Sequence, residues 1–327
     1  MSQDPGVASD RHISVSMFSG TFSADEADCL RVASDFGALI HMMPDAVLLP
    51  ASAEDVVHVV QYARQQQQQL APRGQGHSTY GQAQSAHGIV IDTSTLNTID
   101  AIYPDRVEVS GGVLWQDLVR ATLQQGFIPP VVPDYLGLSI GGTLALGGVG
   151  VTSYRCGSIA DQVYELQVVT GEGQLYICSP TQHADLFASM LGGLGQCGII
   201  VKATLKLQPA YTRARVYRAL YPSLLALVKE LDHFVRTERT CVDAVIGLLI
   251  PSSSGSWNYL LEVAKFYTPG EREPEDKKVL DLLHNVAGTE HFEDVSYVDY
   301  IQRVSTQSQA LDALGIWQRP HPWLDLF

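Results

Sequence analysis

The sequence predicts an α+β fold in two parts, and three observations carry that expectation. Short Val- and Ile-rich runs broken by glycine fill residues 38–209, longer amphipathic segments follow Pro209, and three glycine-rich turns all fall in the first part. With 327 residues, 46% hydrophobic and 17% charged, the chain has the composition of a globular protein with room for two domains. Their expected bounds are 38–209 and 210–327.

The elements follow in order. Ala46 to Leu49 reads as a buried strand stopped by Pro50. Ser52, with Asp55 three residues on, resembles a helix N-cap ahead of Val56, Val57, Val59, Val60 and Tyr62. The run Gln65 to Gln69 is the solvated end of that helix, and a strand at about 69–72 completes a βαβ-like unit. Further strands are expected at 89–92, 107–110, 163–170, 174–178 and 199–207, with helices at 114–125 and 184–191. Past Pro209 the pattern predicts a helix at 223–236, strands at 242–250 and 259–266, and a helix at 274–286 behind a charged, proline-bearing loop. Arg213, Arg215 and Arg218 read as a solvated strand or helix face.

The candidate chemistry lies in the glycine turns. APRGQGHSTYGQA, Ala71 to Ala83, places His77 in a loop directly after a strand. Gly74 and Gly76 let a row of N–H groups approach an anion such as a pyrophosphate. The loop lacks the third glycine and the acidic residue about twenty positions on that a Rossmann fingerprint requires, so it is a different cradle or simply a turn with an exposed histidine. PDYLGLSIGGTLALGGVG, Pro133 to Gly150, carries two Gly-Gly pairs, which serve either tight packing or a backbone lying flat against a large ligand. Asp134, set among prolines and apolar residues, either caps the backbone that follows or accepts a proton with a pKa raised by desolvation. MLGGLGQCGIIVKATLKLQPA, Met190 to Ala210, adds a third turn and a strand. Three such turns in one domain point to an extended dinucleotide lying across it.

Composition excludes other classes. A net charge of -14 and a pI near 5.0 argue against nucleic acid or an anionic membrane as partner. Five widely spaced cysteines without a CxxC fit free thiols in a reducing compartment. The first residues have no apolar signal core, and no run of about eighteen apolar residues occurs, so a cytoplasmic location is expected. The ten histidines show no HExxH, and no metal site is expected.

RGQGHSTYGQA, PDYLGLSIGGTL, LQVVTGEGQLYICS and LGGLGQCGIIVKATLKLQPA stand in the order and spacing of FAD-linked oxidases of the vanillyl-alcohol oxidase type, with their PCMH-type FAD-binding domain of two α/β subdomains. Within that group the chain resembles the cytokinin dehydrogenases, whose motifs include a GHS loop, a TDYL segment and GGLGQFGIITRA. The likeness continues in NYLLEVAKFY, similar to LYCLEVAKYY, and in GIWQRPHPWLDLF, similar to GLWDVPHPWLNLF. The resemblance implies FAD bound covalently through His77, with Gly74, Gln75, Gly76, Ser78, Gln82, Ser139, Gly141, Gly142, Thr143, Ala145, Gly198, Ile199 and Ile200 lining it. It implies Asp134 as the catalytic base and Trp323 and Asp325 near the substrate. The implied reaction is oxidation of a CH–NH donor. Asp134 takes the proton of a secondary amine, N6 of an adenine-type cytokinin, while a hydride leaves the adjacent carbon for the flavin, and water hydrolyses the resulting imine to an aldehyde and a free amine.

The sequence departs from the family at several points. Gln75 replaces an arginine, Ala145 a serine and Asp325 an asparagine, and DAVIG puts Ile246 where the family's DYVEG has a glutamate facing the active site. That last change leaves another FAD-linked oxidase, acting on a sugar, alcohol or other amine, as the alternative. No cysteine stands in PDYLGLSIGG, which argues against a second, cysteinyl flavin bond. Family members continue well past PHPWLN, so the expectation is a C-terminally truncated chain with an incomplete substrate domain, and an inactive remnant is the further alternative.

Overall fold

The computed structural model describes residues 17–236, 241–252, 255–271, 273–313 and 315. Near the start, four strands form a sheet in the order Thr21–Ser23, Ala46–Leu49, Ile89–Asp92, Leu70–Arg73. The last three are parallel to one another and the first is antiparallel. Their continuous apolar runs follow from burial on both faces. Ala46, Leu48, Ile89 and Ile91 pack on Val56, Val59, Val60 and Ala63 of the helix Ala53–Gln66, while Val47, Ala71 and Val90 pack on Cys29 and Val32 of the helix Glu26–Val32. The Ser52 side chain makes no cap bond; instead the buried Asp55 carboxylate accepts from the N–H groups of Ser19, Gly20 and Ala51.

A second sheet is antiparallel, in the order Ile99–Ile102, Arg106–Ser110, Gly198–Lys206, Val163–Thr170, Leu175–Cys178. One face carries Val169, Ile199 and Val201 onto the helix Ala53–Gln66, which is thereby held between two sheets. The other face carries Val107, Val109, Leu166, Val168, Ala203 and Leu205 into the largest core, with Trp115, Leu118 and Val119 of the helix Trp115–Leu123.

The third sheet, also antiparallel, runs Ala244–Pro251, Trp257–Tyr267, Arg213–Tyr221, His291–Ser296. Alternation along the strand Arg213–Tyr221 sorts its two faces. Tyr217, Ala219 and Tyr221 meet Leu227 and Phe234 of the helix Leu224–Arg236, whereas Ala214 and Val216 join the largest core together with Tyr297, Tyr300 and Ile301 of the helix Tyr297–Ala313. That last helix went unread in the sequence; Ser296 Oγ accepts from Asp299 N at 3.0 Å and so caps its start.

Two expectations need correction. The helix placed at 274–286 extends only over Asp276–Leu280. Beyond it the backbone is drawn off the helical path by tertiary bonds, His284 N to Glu230 Oε1 at 3.1 Å and Val286 N to Leu220 O at 2.9 Å. Nor do Arg213, Arg215 and Arg218 form a merely solvated face. Each is ion-paired, to Asp294, to Asp276 and Asp294, and to Glu262 and Glu293 respectively, because strand register aligns them with acidic residues. No helix among the described residues is long and apolar enough to cross a membrane.

Besides that shared core, the third sheet is tied to the rest by polar bonds from the short helix Ser153–Cys156. Tyr154 Oη and Arg155 Nη1 donate to Val242 O at 2.5 and 3.2 Å, and Arg155 pairs with Asp243. The buried Asp243 also accepts from Phe266 N at 2.8 Å and lies 3.1 Å from Lys265 Nζ. Asp243→Ala should therefore cost about 2–3 kcal/mol, since it strands a buried N–H and two cations. A lowered urea midpoint with an unchanged slope would record it.

Candidate functional site

The first glycine turn leaves the carboxyl end of the strand Leu70–Arg73, the usual place for a ligand in an open parallel sheet. Gly76 adopts φ +63, and Arg73 folds beneath it, so close that a Cβ on Gly76 would stand 2.1 Å from the guanidinium. Burial lowers the Arg73 pKa, and Asp92 and Asp35 partly offset that. A Cβ on Gly74 would lie 2.0 Å from Ser139 Oγ, so the first turn touches the second through bare backbone. The second turn contains the short helix Ile140–Ala145 and is held by Gly141 N donating to Gly111 O at 2.7 Å. The third is bonded to the second by Gly192 N to Leu144 O (3.0 Å) and Leu194 N to Ala145 O (2.8 Å). A Cβ on Gly195 would contact Pro72 at 3.4 Å, which closes the ring back to the first turn.

These residues fit a bound dinucleotide. The turns supply backbone N–H groups for a pyrophosphate, and the exposed Leu146 and Leu194 supply apolar surface for rings. The predicted lining residues divide. Gly74 and Gly142 close on Ser139 where the first two turns meet, while Gly76 lies over Arg73, Gly141 lies against Gly111 and Ala145 is bonded to the third turn. Thr143 turns inward, its Oγ1 accepting from Trp115 Nε1 at 3.0 Å and donating to Ser139 O at 2.9 Å. Ile199 and Ile200 bury their side chains in separate cores and leave only backbone for a ligand, beside Gly198 at φ +157. Gln75 and Gln82 are exposed, and Gln82 Oε1 accepts from Tyr80 N at 2.9 Å. Trp323 and Asp325 lie outside the described residues.

The His77 ring is stacked on both faces, on Phe36 with centroids 4.0 Å apart and on Tyr135 at 4.9 Å. Phe36 belongs to a segment that clasps the loop. Phe36 N donates to Gly76 O (2.8 Å), Gly37 N to Ser78 O (3.1 Å), and Asp35 Oδ2 accepts from Ser78 Oγ (3.0 Å) and Gly81 N (2.7 Å). Buried Gln84 ties the far side, accepting from Met42 N at 3.0 Å. Sequence reasoning missed Asp35, Phe36, Arg73 and Gln84, which lie in or beside irregular backbone where periodicity carries no signal.

Tyr135 also brings Asp134 to the site. Asp134 does not cap the following backbone; Leu136 N donates to Ser305 Oγ at 3.3 Å instead. Its own partner is Arg303, 3.5 Å away. It lines a small cavity with Pro129, Pro130, Val132, Phe266 and Ile301, between the proline segment and the third sheet with its helix. Although 35% of its side chain is open, the protein around it desolvates the carboxyl and raises its pKa. Arg303 partly offsets that rise and Glu262 adds to it. Arg303 and Glu262 were also missed. Ile246 stands directly across from Glu262 in the strand register, on the same face of the sheet.

Comparison with known proteins gives a consistent result. Residues 44–179 match the family described as FAD binding domain, and 226–327 that described as cytokinin dehydrogenase 1, FAD and cytokinin binding. An uncharacterized oxidoreductase of the fasciation locus of Rhodococcoides fascians is 37% identical, over 94% of this chain and 70% of that protein. Cytokinin dehydrogenase 1 of Arabidopsis thaliana is 34% identical over 91% of this chain; the match spans 58% of the plant enzyme's length. The structure of 6-hydroxy-D-nicotine oxidase from Arthrobacter nicotinovorans superposes with a TM-score of 0.74 at 19% identity, covering 88% of this chain and 64% of that one, a likeness of fold.

Because Asp35 carries two of the bonds that hold the His77 loop, Asp35→Ala should loosen that loop locally. Amide exchange at Gly81 should quicken about tenfold or more while the sheets keep their protection. Hydrogen exchange resolved by residue would measure it.

Proposed function

The chain belongs to the cytokinin dehydrogenase family of FAD-dependent oxidoreductases, and on that premise we propose that it oxidises a secondary amine of the N6-isopentenyladenine type, with His77 as the cofactor's covalent anchor and Asp134 as the base. One observation carries the reading. The glycine turns close on one another, and through the His77–Tyr135 stack they carry the histidine to within one residue of the desolvated carboxylate.

When bound, FAD supplies the acceptor for a hydride from the carbon beside the amine. Gly74, Gly76, Ser139 and the turn at Gly198 would hold it mainly through backbone, and the two stacked rings would keep the His77 imidazole in one plane for attachment. Asp134 takes the amine proton. Desolvation strengthens it as a base, because a carboxylate with a raised pKa holds the proton it receives more tightly. Pro129, Pro130, Val132, Phe266 and Ile301 give the cavity beside Asp134 apolar walls, which disfavour the ionised carboxylate and so raise its affinity for the proton. Water then converts the imine product to an aldehyde and free adenine.

Asp134→Asn should retain bound flavin yet oxidise isopentenyladenine about 100-fold more slowly or worse. In the parent, kcat/KM should climb with pH through a midpoint above the ordinary carboxylate range, because the neutral acid present below that midpoint cannot accept a proton. A full rate in Asp134→Asn would sink the assignment.

A further inference from the structure

Behind Asp134 lies a charge network that the proposed reaction does not yet use. Arg303 Nη2 is 3.5 Å from Asp134 Oδ1, and its Nε is 3.6 Å from Glu262 Oε1. The guanidinium is only 18% exposed and sits over the Tyr300 ring, 4.3 Å from the centroid. Both approaches are at or beyond the limit of a good hydrogen bond, so the cation is shared between two carboxylates and bound tightly to neither. Glu262 is buried, 5% exposed. Its Oε2 takes a 2.6 Å bond from Arg218 Nε, while its Oε1 has no well-formed hydrogen bond among the described residues and is met by the Arg303 charge, with the Tyr300 hydroxyl also interacting with the carboxylate. Arg218 in turn pairs with Glu293.

We infer that Arg303 and Glu262 are positioning residues for Asp134: Glu262, anchored by Arg218, holds the Arg303 guanidinium against the proline segment and fixes how much of its charge reaches the Asp134 carboxylate. Strand register makes this possible. Arg218, Glu262 and Ile246 are cross-strand neighbours on one face, and the helix carrying Arg303 lies over that face. Its value to the reaction rests on the reading of Asp134 as base; the charge coupling itself does not.

The charged and titratable groups that face Asp134 are Arg303, Tyr300 and Tyr297 from the helix and Glu262 from the sheet. Removing the Arg303 charge takes away the cation that favours the ionised carboxylate, so Asp134 should hold its proton to higher pH. Removing the Glu262 charge does the reverse twice over: a like charge disappears, and Arg303 is released toward Asp134.

The test is a carbon-13 NMR titration of the Asp134 carboxyl in the full chain, with the signal assigned by its loss in Asp134→Asn. Arg303→Gln should move the midpoint up by about one pH unit, Arg303→Lys should recover most of that shift, and Glu262→Gln should move the midpoint down. The last two variants keep charge or shape, and Arg218 retains Glu293 in Glu262→Gln, so the comparison survives if Arg303→Gln folds poorly. Midpoints that coincide with the parent's, or that shift in the same direction for Arg303→Gln and Glu262→Gln, would overturn the inference. Unimpaired turnover in Asp134→Asn would instead overturn only the base reading, since the titration does not depend on activity.

Discussion

At four points near the site the backbone comes so close to its neighbours that no side chain fits. A Cβ would lie 2.0 Å from Ser139 Oγ at Gly74, 2.1 Å from Thr79 O at Gly37, 2.3 Å from Ile200 O at Gly111 and 2.0 Å from Ser189 O at Gly193. At Gly74 this close approach lets the first turn meet the second, at Gly37 it lets the clasp close on the His77 loop, and the third turn joins through hydrogen bonds from Gly192 and Leu194 to the second. The turns are placed in turn by the two sheets that hold the helix Ala53–Gln66 between them, because each turn begins or ends on a strand of one sheet or packs against it. If the sheets shifted relative to that helix, the turns would part.

The second constraint is electrical. Asp134 lies at the junction between the proline segment and the third sheet with its helix, where apolar walls penalise its charge and a single shared cation compensates it. The junction is held by a separate set of charges around Asp243. Stability and chemistry thus use different ion pairs on the same sheet, and the strand Trp257–Tyr267 contributes to both, through Lys265 to the first and Glu262 to the second.

Much of this could be read in the sequence, for definite reasons. Ile89–Asp92 and Val163–Thr170 are apolar runs bounded by turn residues, and their strands fall where expected. The glycine turns announce themselves by composition, and His77 and Asp134 stand out as polar residues among glycines and prolines. What failed has a common cause. Arg303 and Glu262 are charged residues on regular elements, and locally they look like any solvated face; only the pairing of Ile246 with Glu262 with Arg218 across three strands shows where they point. Arg213, Arg215 and Arg218 look solvated in the sequence for the same reason. Helical periodicity after Pro274 persists through Leu283, but the helix stops at Leu280 because Glu230 and Leu220 bind the backbone beyond it. Asp35 and Phe36 sit in irregular chain, where no periodic signal exists.

The claim on which the rest turns is that the three turns hold FAD with His77 as its anchor. It is tested most directly by mass spectrometry of the tryptic peptide Gly74–Arg106 from purified holoprotein, with fragmentation to locate any added mass, since that peptide also contains His87. The account predicts the mass of FAD on His77. A protein that carries FAD while this peptide is unmodified, or is modified at His87, would contradict it.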